Sequence, residues 1–317
     1  MKRFENRLEK PIVKKLAVIG IGLIGSSILH ATRRLGLAAH TIACDRDPSV
    51  QLRAAELGLA NEIVGDIGPA VTDADMIILC VPVGAMAQVA QSMAPHVKTG
   101  AIVSDVGSVK GSVVDALTTH LDKSVEIVPA HPVAGTEHSG PDAGFATLFV
   151  NRWCILTPPE GTSDQAVAIT KSIWEAMGAN VEIMSAVHHD LVLAITSHVP
   201  HLIAYNIVGT AADLEEVTQS EVIKFSAGGF RDFTRIAASD PTMWRDVFLN
   251  NKDAVLEMLG RFTEDLTALQ RMIRRQDGDG LFALFTRTRA IRRSIIEIGQ
   301  ETAAPDFGRS RPSTENS

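Results

Sequence analysis

The chain has 317 residues, 45% of them hydrophobic and 21% charged, and its formal net charge at pH 7 is -7. This composition is typical of a soluble globular protein, and the length suits two domains. The acidic balance argues against a surface for nucleic acid or for an acidic membrane, so a few local cations would have to hold any anionic ligand. The N-terminal segment lacks a signal-peptide core, and no later run approaches the roughly 18 apolar residues of a membrane span. We therefore expect a cytoplasmic protein.

The three cysteines, Cys44, Cys80 and Cys154, are odd in number and far apart. Each is flanked by apolar residues that are typical of strands. They are interpreted as reduced core residues, and a metal or redox role is the less favoured alternative.

The first motif is a glycine-rich turn between a strand and a helix. The apolar run 16–19 predicts a buried strand that leads directly into Gly20, Gly22 and Gly25, and a helix is predicted to continue to about Leu35. Glycines at this spacing permit a tight turn, close approach of the backbone to a pyrophosphate, and close packing of helix on strand. The motif is weak alone, but its flanking elements favour dinucleotide binding.

An acidic residue follows the second predicted strand. Residues 41–44 form that strand, and Asp45 comes twenty residues after Gly25. A carboxylate at this position accepts the ribose hydroxyls of NAD and repels the 2′-phosphate of NADP, which predicts NAD as the cofactor. Arg46 could receive a 2′-phosphate, so some use of NADP stays open. Val81 ends a later strand, near where the adenosine half of the cofactor should pass.

Strand and helix signals alternate as far as residue 184, and the signal is helical from 185 to about 300. The fold class is therefore predicted as α/β, with an N-terminal Rossmann-type doubly wound parallel sheet followed by an all-α C-terminal domain. We predict a dinucleotide-binding domain over 1–184, a helical domain over 185–302 and a disordered tail over 303–317. Beyond the first two strands, further strands are predicted at 60–64, 74–82, 101–104, 127–128, 153–157 and 181–184.

A histidine follows the predicted strand at 127–128. His131 stands just beyond the carboxyl end of that strand, and Pro132, Gly135 and Gly140 indicate a loop. Ligands bind at this edge of open α/β sheets, where an imidazole is placed for general acid/base catalysis near neutral pH. A histidine that only holds its own loop by a hydrogen bond is the alternative.

A second polar turn runs from Asp105 to Lys110, after the predicted strand at 101–104. Because the carboxyl ends of parallel strands meet at one edge of the sheet, Ser108 and Lys110 are predicted to reach the nicotinamide side of the crevice. A plain helix start that begins with Ser and Lys is the alternative.

The first helix of the C-terminal half carries a polar stripe. At 100° per residue, Ser197 and His201 fall within about 20° of Asp190, and His198 flanks that line. Polar side chains on an apolar helix need partners, and Pro200 removes one helix bond, which predicts a kink beside the histidines. Metal binding by His198 and His201 is conceivable, but no nearby carboxylates or cysteines complete a site, and no metal is predicted.

Two arginines four residues apart, Arg231 and Arg235, are local cations of the kind that an acidic protein needs for an acidic ligand. A surface network of both arginines with Asp232 is the alternative. Because Arg235 lies between the apolar Phe233 and Ile236, carboxylate binding is the favoured interpretation there.

Five motifs in order resemble the prephenate/arogenate dehydrogenase family of tyrosine biosynthesis, in its single-function form, over about residues 13–301. The resemblance implies NAD-dependent oxidative decarboxylation: hydride leaves the ring carbon that bears the 4-hydroxyl, CO2 departs and the ring becomes aromatic. It also implies a homodimer formed through the helical domain, which would carry substrate binding and dimerisation. The motifs are 20–25, 105–110, 131–137, 189–201 and 229–237.

The resemblance implies roles for individual side chains. His131 matches the catalytic histidine that accepts the 4-hydroxyl proton, and Ser108 matches the serine that hydrogen-bonds near that hydroxyl and the nicotinamide. Arg235 matches the arginine that binds a substrate carboxylate. Residues that match those lining or gating the pocket are Glu137, His198, His201 and Trp244. The expected cofactor contacts are Gly20, Gly22, Gly25, Asp45, Val81, Ser108 and Thr136.

Prephenate is the expected substrate, because His201 offers a donor for a keto or carboxylate oxygen and arogenate-specific family members often lack a histidine there. Arogenate, with an ammonium group in place of the ketone, stays open as an alternative, and Glu137 could receive that group. A two-domain Rossmann hydroxyacid dehydrogenase is a further alternative, but it would typically place a catalytic lysine on the first helix after the nucleotide domain. A non-enzymatic NAD sensor would have no use for His131, Ser108 and Arg235 together.

Overall fold

A computed structural model describes residues 7–136, 138–218 and 227–297. Two sequence predictions, the pocket role of Glu137 and the disordered tail 303–317, lie outside the described residues. The chain forms two compact units, residues 1–258 and 259–317. The domain boundary at residue 184 stays a prediction.

Six parallel strands form the main sheet: β1 (Val13–Ile19), β2 (Ala38–Cys44), β3 (Glu62–Val64), β4 (Met76–Leu79), β5 (Ile102–Asp105) and β6 (Glu126–Ile127). Their order is β3-β2-β1-β4-β5-β6, which confirms the predicted Rossmann-type sheet. The chain leaves β1 towards β2 and β3 on one side and later crosses to β4 on the other side. The carboxyl ends of β1 and β4 therefore border the crevice in which such sheets bind ligands.

Helices accompany the sheet and form all of the regular structure in the described residues from Ala186 onward. Those of the sheet part are α1 (Leu23–Leu35), α2 (Pro48–Glu56), α3 (Ile67–Val71), α4 (Met86–Met93), α5 (Gly111–His120) and α6 (Asp164–Ala176). The later ones are α7 (Ala186–Leu193), α8 (Val199–Thr218), α9 (Gly228–Thr234), α10 (Pro241–Asn250), α11 (Lys252–Arg274) and α12 (Gly278–Glu297). The predicted change from α/β to all-α structure is thus confirmed over the described residues.

Two apolar cores cover the two faces of the main sheet, as a buried parallel sheet requires. In β1, Leu16 and Val18 belong to the core that also holds side chains of α1 and α6. Ala17 and Ile19 belong to the core that holds side chains of α3, α4 and α5. Successive residues of a strand point to opposite faces, so one apolar strand serves both cores. This burial fixes the strand ends at which the candidate site lies.

A second sheet holds His131 where the sequence predicted a loop. Its strands are β7 (Ala130–Pro132), β8 (Trp153–Leu156) and β9 (Asn180–Ile183), with β7 antiparallel to β8 and β8 parallel to β9. His131 pairs with Ile155 in this ladder. The predicted loop was wrong only for His131 and Pro132, because Pro132 is the last residue of an edge strand, a position that tolerates the missing N–H; the loop begins at Val133.

Between α7 and α8 the helix widens into a five-residue π turn, Ala194–His198. The Val199 N–H bonds to the Ala194 carbonyl, and Pro200 has no N–H to donate. At the position of the predicted kink, the structure therefore has an extra residue in one turn. The wider turn shifts the later side chains around the axis. His198 is fully buried, whereas Ser197 is only partly buried.

The run Ala186–Leu214 is long and apolar enough, by length and composition alone, to cross a membrane, which is weak evidence for a span. Its most apolar window has a mean hydropathy of 1.5 and is only 28% buried. His189, Asp190 and His198 of the same run are buried. The run is thus two-sided, with a polar inner side and an apolar surface that suits a partner. Large apolar side chains exposed there are Val187, Leu191, Ile195, Ile207, Val208 and Leu214.

Candidate active site

His131 belongs to a chain of hydrogen bonds that joins β7 to α7. Its Nδ1 is 2.8 Å from Nε2 of His189, and Nδ1 of His189 is 2.8 Å from Oδ1 of Asp190. The two imidazole rings meet edge to face, with centroids 5.0 Å apart. His131 is 8% exposed and His189 is fully buried. Buried polar groups need partners, and these bonds supply them to both rings.

The Asp190 carboxylate is bound by the start of α5. Its Oδ1 accepts the Lys110 N–H at 2.7 Å, and its Oδ2 accepts the Gly111 N–H at 2.8 Å. Helix α5 has no side-chain cap of its own, so a carboxylate from α7 satisfies two of its unpaired N–H groups. Burial acts to raise the pKa of Asp190, but the bonds from His189, Lys110 and Gly111 outweigh it and hold the pKa below its ordinary value. Asp190 is therefore ionised at neutral pH.

Lys110 is fully buried, contrary to the prediction that it reaches into the crevice. Its ammonium donates to Oδ2 of Asp105 and, at 2.7 Å, to the Ala130 carbonyl, and both side chains of the ion pair are 0% exposed. Asp105 also accepts the N–H groups of Gly107 at 2.7 Å and Ala130 at 3.1 Å. The ion pair thus binds both the N–H and the carbonyl group of Ala130, the residue before His131.

Burial is the largest influence on the His131 imidazole and lowers its pKa well below the ordinary value of a histidine. The neighbouring His189, Lys110 and His198 lower the pKa further. The ring is therefore neutral at pH 7 and able to accept a proton.

A third buried histidine, His198, is fixed by Asn251. The Asn251 Nδ2 lies 3.0 Å from His198 Nδ1 and donates at 2.9 Å to the main-chain carbonyl of Asp190. Among the described residues, His198 Nε2 has no hydrogen-bond partner, although the backbone of Ser108 lies near it. Burial lowers the pKa of His198 to about 4. The ring is neutral, and one of its nitrogens is left for a ligand.

His201 and Trp244 pack together beside His198. Their rings are stacked, with centroids 3.6 Å apart and an angle of 23° between the planes. Trp244 is 6% exposed, and no described residue accepts a bond from its Nε1. His201 Nδ1 lies 2.8 Å from the Ser197 carbonyl. Because a carbonyl only accepts, Nδ1 carries the hydrogen, and Nε2 of the neutral ring is an acceptor.

Arg235 lies at the edge of this group and is exposed. Burial is the main cause that lowers the pKa of His201, and the charge of Arg235 lowers it further, which places the guanidinium near that ring. Within the described part of the chain, Arg235 forms no ion pair with Asp232 or another carboxylate. Its charge is therefore available to an anionic ligand.

The glycine-rich turn has the tight geometry predicted. Gly20 has φ +96°, and a Cβ on it would lie 2.5 Å from the Cys80 carbonyl oxygen. A Cβ on Gly25 would lie 2.0 Å from the Gly20 carbonyl oxygen, so neither position accepts a side chain. Nothing lies within 4 Å of the Cβ position of Gly22, which precedes α1 without a side-chain cap. Open space before an uncapped helix N-terminus fits a pyrophosphate.

Asp45 lies directly against this turn. Its Oδ2 accepts the Ile21 N–H at 2.9 Å, and its Oδ1 accepts the Asp47 N–H at 3.0 Å. These bonds hold the carboxylate beside the turn, and each oxygen keeps a lone pair for a ribose hydroxyl. The Val81 side chain lies 3.3 Å from the Cβ position of Gly20, so it borders the same space.

The segment that follows β7 returns to the nucleotide-binding helices. The Phe145 N–H donates to Ser27 Oγ of α1 at 3.1 Å, and Arg53 of α2 donates to both carboxylate oxygens of Asp142. Thr136 is partly buried in this segment, and its Oγ1 accepts the His138 N–H at 3.3 Å. The segment thus runs from His131 to the start of α1 and joins the two halves of the crevice.

The structure gathers most of the residues predicted for substrate binding around His131. The sequence missed three residues that hold them. His189 was noted only as part of a family motif, and Asp190 as part of that motif and of the polar stripe, and neither was given a role, although two adjacent polar residues on an apolar helix were a usable signal. Nothing in the sequence marked Asn251. Among the described residues, no group of three or more His, Cys, Asp or Glu side chains is arranged to hold a metal ion.

Comparison with known proteins identifies the family. A family model described as the prephenate dehydrogenase nucleotide-binding domain matches residues 28–183, and one described as the prephenate dehydrogenase dimerization domain matches residues 185–287. The chain belongs to the prephenate dehydrogenase family. The family and the dehydrogenase class predicted from the sequence are confirmed.

Individual relatives agree with this assignment. The chain is 44% identical over 284 residues to cyclohexadienyl dehydrogenase of Zymomonas mobilis, which covers 90% of this chain and 97% of that protein. It is 32% identical over 293 residues to prephenate dehydrogenase of Bacillus subtilis, covering 92% and 78%. The solved structure of A. aeolicus prephenate dehydrogenase with hydroxyphenyl propionate and NAD+ matches with a TM-score of 0.84 and 33% identity, covering 89% and 98%. The likeness spans both the sheet part and the helical part.

Proposed function

We propose that the chain catalyses the NAD-dependent oxidative decarboxylation of prephenate to 4-hydroxyphenylpyruvate in tyrosine biosynthesis. Family membership supports the reaction class. One observation supports the catalytic role of His131: its imidazole is buried, neutral and hydrogen-bonded to a second histidine at the ligand-binding edge of the sheet.

NAD, when bound, takes up the hydride that leaves the substrate. The uncapped start of α1 suits the pyrophosphate, and Asp45 suits the ribose hydroxyls. The charge of Asp45 opposes a 2′-phosphate, so NADP should be the poorer cofactor. The proposed cofactor contacts are Gly20, Gly22, Gly25, Asp45, Val81, Ser108 and Thr136.

His131 accepts the proton of the 4-hydroxyl as hydride leaves the ring carbon that bears this hydroxyl. Loss of hydride alone would give a protonated ketone, and a neutral imidazole within hydrogen-bond reach avoids that charge. General bases of this kind typically raise rates about 10²- to 10⁴-fold. The bond to the ring carboxylate then breaks, CO2 leaves and the electron pair of that bond completes the aromatic ring, while the 4-oxygen takes a proton back from His131 to give the phenol. Ser108, whose backbone lies near His198, is proposed to bond near the same hydroxyl and the nicotinamide.

The other end of the substrate is proposed to lie among His198, His201, Trp244 and Arg235. His198 Nε2 and Trp244 Nε1 are buried without a partner among the described residues, as groups that bind a ligand can be. Arg235 is proposed to bind a carboxylate with both of its terminal nitrogens. Glu137 keeps its predicted role at the pocket.

Arogenate is the second candidate substrate, and His201 favours it. The sequence argument for prephenate needs His201 to donate, but its Nδ1 hydrogen is taken by the Ser197 carbonyl and burial lowers its pKa. The neutral ring therefore presents an acceptor, which suits an ammonium group. The relative in Zymomonas mobilis is a cyclohexadienyl dehydrogenase. The family model and the relative in Bacillus subtilis are described as prephenate dehydrogenase, so we propose prephenate as the main substrate, on that ground and not on His201, and arogenate as an accepted one.

The family model over residues 185–287 suggests a homodimer. We place its interface on the apolar side of Ala186–Leu214, because a second copy would cover the exposed apolar residues there. We also propose functional domains over 1–184 and 185–302, and the two family matches, over 28–183 and 185–287, support the boundary between them. With the apolar side covered, the protein is soluble and cytoplasmic, and it needs no membrane or nucleic-acid partner.

Formation of NADH or NADPH by the purified 317-residue chain tests the proposal, with prephenate and arogenate as substrates and with NAD and NADP as cofactors. His131→Asn should lower kcat by about 10²- to 10⁴-fold with little change in KM, because the lost interaction develops mainly in the transition state. His188→Asn, the same change at an exposed histidine of α7, is the control and should keep the wild-type rate. Wild-type kcat in His131→Asn would make His131 a structural residue.

A further inference from the structure

We propose that Asp190 imposes opposite tautomers on the two buried histidines of the site. Its carboxylate, acting through His189, leaves His131 with an unprotonated Nε2. Its main-chain carbonyl, acting through Asn251, leaves His198 with a hydrogen on Nε2. The chemical meaning of these tautomers rests on the proposed function, whereas the tautomers themselves follow from the hydrogen bonds.

The first part of the argument begins at a group that can only accept. Asp190 is ionised and already accepts two backbone N–H groups, so His189 Nδ1, at 2.8 Å, must donate to it. Burial lowers the pKa of His189, so the ring is neutral and its Nε2 has a lone pair. His131 Nδ1, 2.8 Å from that lone pair, must then carry the hydrogen. The hydrogen-free nitrogen of neutral His131 is Nε2.

The second part begins at the Asp190 carbonyl. Asn251 bonds to this oxygen at 2.9 Å, which identifies the bonding atom of the amide as its nitrogen. The same nitrogen lies 3.0 Å from His198 Nδ1, and an amide nitrogen only donates. His198 Nδ1 is therefore the acceptor. In the neutral ring, the hydrogen lies on Nε2, which is buried and has no partner among the described residues.

The site then has one imidazole that accepts and one that donates. The hydroxyl proton of the substrate passes to Nε2 of His131, while Nε2–H of His198, with the Ser108 backbone near the ring, can donate to a substrate oxygen. The positive charge formed on His131 lies next to His189 and one ring away from the Asp190 carboxylate. With the reverse tautomer, His131 Nε2 would already carry a hydrogen and could not act as a base. His189 and Asn251 are thus positioning residues.

Neutron crystallography of the 317-residue chain locates these hydrogens directly. The expected result is deuterium on Nδ1 and not on Nε2 of His131, and the reverse pattern in His198. Deuterium on Nε2 of His131, or on Nδ1 of His198, would overturn the corresponding part of the proposal. This readout does not depend on activity, so it separates the tautomers from the proposed function. Wild-type kcat in His131→Asn would refute the base role and leave the tautomers standing.

Two pairs of variants give an independent kinetic test. His189→Asn shortens the side chain and removes the hydrogen bond to His131. A correctly placed general base contributes roughly 10²- to 10⁴-fold to the rate, and we expect at least tenfold of this to be lost from kcat, with KM little changed. His188→Asn should match the wild type. Asn251→Leu frees the His198 tautomer and should raise substrate KM several-fold more than it lowers kcat. Its control is Asn250→Leu, at an exposed neighbour.

Circular dichroism and thermal unfolding establish that each variant is folded. A folded His189→Asn with wild-type kcat would show that His189 does not control His131. An unchanged KM in folded Asn251→Leu would refute the role of the His198 donor. If either variant fails to fold, the neutron structure of the wild type still decides the assignment.

Discussion

The buried ion pair of Lys110 and Asp105 predicts a large loss of stability from one substitution. Lys110→Met keeps an apolar side chain of similar length but leaves the Asp105 carboxylate unpaired where both groups are 0% exposed. Removing one partner of a buried pair costs about 3–5 kcal/mol of unfolding free energy. At roughly 2–4 °C per kcal/mol for a chain of this size, the melting temperature should fall by about 6–20 °C. Urea denaturation followed by circular dichroism measures the free energy itself.

Lys98→Met is the matched control. Lys98 pairs with Asp75 at 2.5 Å, the same distance as in the buried pair, but these side chains are 37% and 33% exposed. A pair open to water contributes about 0–1 kcal/mol, so this variant should unfold close to the wild type. Lys110→Met with Asp105→Asn should recover part of the loss, because no charge is left buried. The reasoning is refuted if Lys110→Met costs no more than Lys98→Met.

Three predictions concern function. Asp45→Ser should raise kcat/KM for NADP relative to NAD, because a like charge is removed, and an unchanged ratio from initial rates would exclude Asp45 as the selector. Arg235→Gln should raise substrate KM more than it lowers kcat, since it removes binding common to the ground and transition states; an unchanged KM in the folded variant would move that role to Arg231. Only neutral His131 accepts a proton, and burial lowers its pKa, so kcat should be constant above neutral pH and fall in acid. A kcat that continues to rise well above pH 7 would contradict this ionisation.

The main sheet was predictable because its signals are local in sequence. A continuously apolar strand such as β4, buried at all four residues, can be recognised from its own sequence, and so can the turn from Gly20 to Gly25. Strand β7 was not predictable, because it has only three residues, ends in proline and exists through its pairing with β8. The placement of Lys110 was missed because its partners, Asp105 and Ala130, come together only when β5 and β7 are adjacent.

In the helical half, the sequence-based prediction failed for a different reason. Counting 100° per residue predicted a polar stripe through Ser197, but the π turn changes the period inside that stretch, and His198 is buried in its place. Sequence periodicity assumes one helix geometry throughout. Pro200 marked the position at which that assumption fails, but not the form the distortion takes.

Asp190 explains why folding and chemistry are coupled in this site. Its carboxylate accepts two N–H groups at the start of α5, about 80 positions earlier in the chain, and so docks α7 on the sheet part. The same carboxylate orients His189 and, through it, His131. A substitution at Asp190 would remove a helix cap as well as a catalytic support, and its effects on stability and on rate could not be separated. Among the residues that the structure describes, the His189 ring bonds to His131 and Asp190 and caps no helix, so substitution there tests the chemistry with the docking left in place.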